Sequence, residues 1–294
     1  MALGASAATA SPAASTQFNA HGEAVATGSD TAAPPPCVYQ PPAAGVISTL
    51  AVYVTGYTNI AKLGGAEVVS VSCTQLQIRS HTTAFKNGAL HLIGTATGNF
   101  DSSGLMQSSP STGTFLAYGF MPATATMVLE ETAPMEIISD IQLTGSPIGG
   151  HTYIRFPVIA KVTKLSINGT PVDLGSSCTT VQSLYSTDPD PAQDTHDHVV
   201  MDGYSFDAAG IKPGDYTLSG GGPLSSTVTI PPFHHCGADG EFDSILTASI
   251  SGPGNYIKEI QPKYGCDGIS AATNAPDTGC TADLQPTDIP QPER

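Results

Sequence analysis

Residues 151–170 read HTYIRFPVIAKVTKLSINGT. The run from His151 to Ile167 is dominated by Val, Ile, Thr and aromatic side chains, which fit a pleated, half-buried surface. It ends on Asn168-Gly169, two residues that tolerate the positive φ values of a type I′ turn and so mark a hairpin. Pro171 shortens what can pair on the far side, because it has no N–H for the ladder. The stretch reads as antiparallel β.

The same pattern extends outward. Val46, Ser48, Leu50, Val52 and Val54 share one strand face, with Tyr53 and Thr55 on the other. Further strands are expected at 66–73, 74–78, 89–93, 113–120, 124–130 and 136–143. Gly64-Gly65 and Lys86-Asn87-Gly88 separate several of them. No window of eleven or more residues carries a 3.6-residue period. Pro213-Gly214 followed by Asp215-Tyr216 is similar to the corner of immunoglobulin-like sandwiches, where a Tyr hydroxyl bonds back to the backbone. The sequence therefore predicts an all-β fold, an antiparallel β-sandwich in two domains, the second immunoglobulin-like. Residues 1–36 are an Ala/Ser/Pro-rich leader too poor in large apolar side chains to offset ordering entropy. The first domain is expected over 37–150 and the second over 151–262, divided near Gly149-Gly150. A disulfide loop and polar tail occupy 263–294.

Composition narrows the partners. Among 294 residues, 10 Lys+Arg stand against 25 Asp+Glu, a formal charge of −15. That balance argues against nucleic acid and anionic membrane, both of which need a basic surface. No apolar run approaches the ~18 residues of a membrane span. Cys37, Cys73, Cys178, Cys236, Cys266 and Cys280 form an even set without a C-x-x-C pair, which suits disulfides in an oxidising compartment. Sequential pairing, Cys37–Cys73, Cys178–Cys236 and Cys266–Cys280, is expected because each pair brackets its own block of chain. Residues 1–15, MALGASAATASPAAS, carry A-x-A sites and read as the tail of a secretory signal. The expectation is a secreted, extracellular protein.

Three groups of side chains could carry chemistry. In the acidic stretch DPDPAQDTHDHVVMDGYSFD (188–207), Asp194, His196 and His198 would share one face of an extended segment. Two imidazoles and a carboxylate suit Zn²⁺, and Asp188 with Asp190 could offer oxygens to Ca²⁺. The alternative is a solvated acidic loop needing no cofactor. A second cluster, His234, His235, Asp239, Glu241 and Asp243, flanks Cys236 and reads as either an acid–base set or a polar turn. The third is apolar: Met106, Phe115, Tyr118, Phe120, Met121 and Met127, whose flexible thioethers suit a pocket for an apolar small molecule or lipid. Core filling is the plainer explanation of the same side chains. The G-x-S-x-G, H-E-x-x-H, Walker and G-x-G-x-x-G motifs are absent. The preferred reading is a non-enzymatic extracellular or cell-surface protein with a binding or structural role, its partner a cell-envelope component or another protein. A carrier of an apolar molecule is second, and a metal-dependent hydrolase using the His196/His198 loop is third.

Three segments resemble one another's counterparts in a known group. YGFMPATAT (118–126), TIPPFHHCG (229–237) and ILTASISGPGN (245–255), together with the Ala-rich leader, resemble secreted β-rich proteins of Streptomyces-type actinobacteria, a family itself uncharacterised. The resemblance spans roughly 45–260. It implies secretion, a β fold, a Pro-ended strand delivering a disulfide cysteine, and a strand over 245–250 leading into a Gly-Pro-Gly turn. It carries over no catalytic residue.

Overall fold

A computed structural model describes residues 42–100, 107–108, 110–117, 120–205, 215–218 and 220–261. The chain runs through β1 (Ser48–Ile60), β2 (Gly65–Lys86), β3 (Ala89–Asn99), β4 (Ser111–Ala117), β5 (Met121–Glu131), β6 (Met135–Gln142), β7 (Gly149–Phe156) and β8 (Val158–Ile167). Three short strands follow: β9 (Thr170–Val172), β10 (Thr179–Thr180) and β11 (Tyr185–Ser186). Then come β12 (Val199–Ser205), β13 (Gly222–Ile230), β14 (Phe233–His234), the helix α1 (Asp243–Ile250) and β15 (Gly252–Gln261).

The strands form two antiparallel sheets packed together, an all-β sandwich. The smaller has the order β14-β10-β8-β5-β4, with β9 beside β8. The larger has the order β11-β13-β12-β7-β6-β3-β2-β1-β15, and β13 also pairs with β15. That extra pairing closes eight of its strands into a ring, which removes most of the sheet's open edges. The closure is uneven. β13 and β15 are in register along nearly their whole length, whereas β12 meets β13 only at Asp202↔Ser225. On one side of that point Ser186 of β11 fills the gap, its N–H donating to His198 O and its hydroxyl lying 3.1 Å from Ser226 Oγ. On the other side Tyr216 donates its N–H to Tyr204 O, and its ring lies where a Cβ at Gly203 would stand.

One core serves both sheets. Leu50, Val52, Ile137, Ile154 and Met201 of the ring pack with Ala125, Val158 and Val162 of the smaller sheet, and α1 adds Leu246 and Ile250. Each fully buried large aliphatic contributes roughly 1.5–3 kcal/mol. The expected division at Gly149-Gly150 does not hold: these glycines open β7, which pairs with β6 (Gln142↔Gly149, Ile141↔Gly150). Strands from both halves enter the same sheet, so the chain folds as one body. The hairpin at Asn168-Gly169 is present, with φ of 50° and 76°.

Two local expectations are corrected. Residues 245–250 are helical rather than extended: α1 pairs Leu246 with Ile250 on one buried face, and eight residues are too few to show a periodic signal. Tyr216 is not a tyrosine corner. Its hydroxyl donates to Gln261 Oε1 at 2.9 Å inside the ring instead of to the backbone upstream.

Candidate binding face on the larger sheet

Ile137 of β6, Ile154 of β7 and Met201 of β12 point into the core, so by strand alternation their neighbours point outward. The register brings Asp140, His151 and Tyr204 into one cross-strand row and Ile138, Tyr153 and Asp202 into the next. His151 Nδ1 lies 2.9 Å from Asp202 Oδ1, both side chains being about two-fifths exposed. The His151 and Tyr153 rings are parallel at 5.4 Å, and Tyr204 meets His151 edge-on at 4.7 Å. One strand over, Asp140 accepts from His91 Nδ1 and Lys86 Nζ, each at 2.7 Å. Burial would raise the Asp140 pKa, but these two partners outweigh it and hold it below the ordinary value.

The lower end of the face is closed by a buried ionic knot. Arg155 donates Nε to Asp190 Oδ2 at 2.6 Å and Nη1 to Glu136 Oε2 at 3.3 Å. His198 Nε2 lies 2.9 Å from the same Asp190 Oδ2, and the backbone N–H groups of Ala192 and Gln193 donate to Oδ1. Burial pushes the Asp190 carboxyl up, yet the hydrogen bonds from Arg155, His198 and Ala192 prevail and bring its pKa to about 2. The knot pins the 187–198 loop beside Tyr153. That tyrosine is raised by burial and by the charges of Asp202 and Asp190.

The sequence-derived sites are placed as follows. Asp194, His196 and His198 do not converge. Asp194 sits at φ 52° in a turn, His196 lies edge-on to Tyr185 at 6.2 Å, and His198 has Asp190 at one nitrogen and Asp197 at the other. The shared face needed an extended segment, but residues 191–193 turn around Asp190. Among the described residues no group of three His, Cys, Asp or Glu side chains is arranged to hold a metal. In the second cluster, Asp243 accepts from the Cys236 N–H and Glu241 from the Asp239 N–H, so both carboxylates organise backbone. Beside them an open hollow of about 480 Å³ is lined by Ser176, Ser177, His235, Asp239 and Asp243.

Among the described residues the apolar set does not form one pocket. Phe115 and Met127 line a small cavity of about 20 Å³ between the sheets, Met121 is half-buried, and Phe120 is 71% exposed. Met106 and Tyr118 lie outside the described residues. Cys178 and Cys236 form the expected disulfide, and Cys73 is also disulfide-bonded. Cys37, Cys266 and Cys280 lie outside the described residues.

The outer face escaped the sequence reading because its partners are far apart in the chain: 49 residues for His91–Asp140 and 51 for His151–Asp202. The local trace was the alternation His151, Tyr153, Arg155 on one side of a strand whose other side is Thr152, Ile154 and Phe156. No protein-family model, no curated protein and no solved structure matches the chain.

Proposed function

We propose that the protein is secreted and acts by binding, holding a neutral polyhydroxylated chain such as a cell-envelope glycan against the outer face of β3, β6, β7 and β12. The observation that carries this is the row of half-buried Tyr153, His151 and Tyr204 rings set among carboxylates that already have hydrogen-bond partners. Ring faces offer dispersion contact to the C–H faces of a sugar. The remaining lone pairs of Asp140 and Asp202 accept hydrogen bonds from hydroxyls. Lys86 and His91 are already engaged by Asp140, His151 by Asp202 and Arg155 by Asp190, so these side chains are held in place on the face.

Other observations favour binding over catalysis and this face over the interior. Among the described residues neither His91 nor His151 has a Ser, Thr or Cys hydrogen-bond partner that could serve as a nucleophile. Two cavities between and within the sheets hold about 40 and 60 Å³, against the several hundred that a lipid fills. The Cys178–Cys236 bridge agrees with an oxidising compartment. Among the described residues no helix is long and apolar enough to cross a membrane. Co-sedimentation with insoluble bacterial cell-wall glycan and with chitin tests the reading. At least one should retain the protein, and Tyr153→Ala with Tyr204→Ala should weaken retention at least tenfold. Retention unchanged in that double variant, or none by any polysaccharide, overturns it.

A further inference from the structure

Strand β15 turns its polar residues the wrong way. Tyr256, Lys258 and Ile260 point out, and Asn255, Ile257, Glu259 and Gln261 point into the core. Two of the three inward polar side chains are accounted for. Asn255 accepts from the Ala61 N–H at 2.9 Å and donates to Gly252 O at 2.7 Å. Gln261 accepts from the Tyr216 hydroxyl at 2.9 Å and donates to Leu218 O at 2.7 Å. Glu259 has no hydrogen-bond partner among the described residues.

Its surroundings are hollow. A cavity of about 40 Å³ inside the ring is walled by Val52, Val54, Met201 and Leu224, and a second of about 60 Å³ toward the smaller sheet by Met127, Leu184, Ile230 and Ile257. Glu259 and Val69 line both, so the carboxyl stands where the two meet. Among the described residues no Lys, Arg or His lines either one, and Tyr216 is the only other titratable side chain that does. Half-buried against these apolar walls and with no cation beside it among the described residues, the carboxyl has its pKa pushed up by burial to about 7. An isolated carboxyl in an apolar wall is costly to bury and adds nothing to packing that a Leu would not supply better.

We propose that this carboxyl anchors an internal site for a short primary alkylammonium ion, its NH₃⁺ on Glu259 and its alkyl chain in the adjoining cavities. The cation would supply the missing partner, and the apolar walls select the chain. Methionines at Met127 and Met201 give those walls some adaptability. Volume sets the length. A cavity of about 150 Å³ takes six-carbon benzene, so these two spaces suit about four heavy atoms, the size of n-propylammonium. The ring is thinly paired at the β12–β13 closure, where a single register pair joins the strands beside Tyr216. Weakly paired segments of this kind open most readily. This site is independent of the outer face.

The test is calorimetric titration of the full, disulfide-intact chain at pH 8 with the chlorides of ammonium, methylammonium, n-propylammonium and n-hexylammonium, at matched ionic strength. One-to-one binding is expected, strongest for n-propylammonium and at least tenfold weaker for ammonium and n-hexylammonium. Glu259→Gln should abolish it with the fold intact by circular dichroism, and Tyr153→Ala with Tyr204→Ala should leave it unchanged. In the wild type, saturating n-propylammonium should lower the Glu259 titration midpoint, read by carboxyl ¹³C NMR, by at least one pH unit. No binding, equal binding across the series, survival of binding in Glu259→Gln, or an unmoved Glu259 signal would overturn the proposal.

Discussion

Asp190, fully buried, and Glu259, half-buried against apolar walls, are carboxylates of one β body that behave oppositely. Asp190, under the loop that borders the outer face, meets Arg155, His198 and two backbone N–H groups, and its pKa lies near 2. Glu259, between the cavities, meets none of these, and its pKa rises to about 7. Burial acts in the same direction on both. What separates them is the supply of donors, so the outer face keeps its charges by pairing them, whereas the interior holds a carboxyl that is neutral over much of the acidic range. A neutral partner suits the first arrangement and a cationic one the second.

The largest effect expected from breaking this contrast is at the knot. Arg155→Leu leaves Asp190 buried without its cation and should cost about 3–5 kcal/mol, read as a fall in the urea midpoint at pH 7. If the loss were below about 1 kcal/mol, Asp190 would not be the buried, dependent charge described here.

Glu259→Gln should move stability the other way. The folded-state pKa near 7 lies above the ordinary value of 4.5. The folded protein therefore retains a proton that the unfolded chain has lost, and stability declines as pH rises from about 4.5 to about 7. The variant should gain about 2–3 kcal/mol at pH 8 and nothing at pH 4, at about 1.4 kcal/mol per pH unit. Glu131 is buried with one oxygen unpartnered and rises to about 7 for the same reason, offset in part by the Phe100 N–H. Glu259→Gln should thus remove only part of the decline.

The acid limb belongs to Asp190. Its folded pKa is lowered, so the stability it contributes is complete above about pH 4 and is lost as pH falls toward 2. Asp190→Asn should cost on the order of 2 kcal/mol at pH 7 and flatten that limb. The smallest effect is at the rim: Asp197, three-quarters exposed, meets only His198 of the knot, and Asp197→Asn should change stability by about 0.5 kcal/mol or less.

The fold was legible where its signals are local. The 151–167 run, the Asn168-Gly169 turn and the Cys178–Cys236 pair could each be read from neighbouring residues or a short count. The single-body architecture could not, since Gly149-Gly150 resembles a linker until β6 is known to lie beside it. The helix at 243–250 hid in a segment whose Ile and Thr content favours strands. The sites divided the same way. Asp194, His196 and His198 share a face only if the backbone is straight, and Asp190 bends it. The pairs on the outer face join strands that only the register brings together. Glu259 left a trace in the sequence: Asn255, Glu259 and Gln261 share the parity of Ile257, the side that a strand normally keeps apolar.

The measurement that bears most directly on this account is a carboxyl ¹³C NMR titration of the wild-type chain from pH 2 to 9, with Asp190 and Glu259 assigned. The account predicts that Asp190 remains ionised down to about pH 2 and that Glu259 titrates near pH 7. Midpoints near 4 for both would contradict it, because the Arg155 knot and the unpartnered carboxyl within the ring would then both be absent in solution.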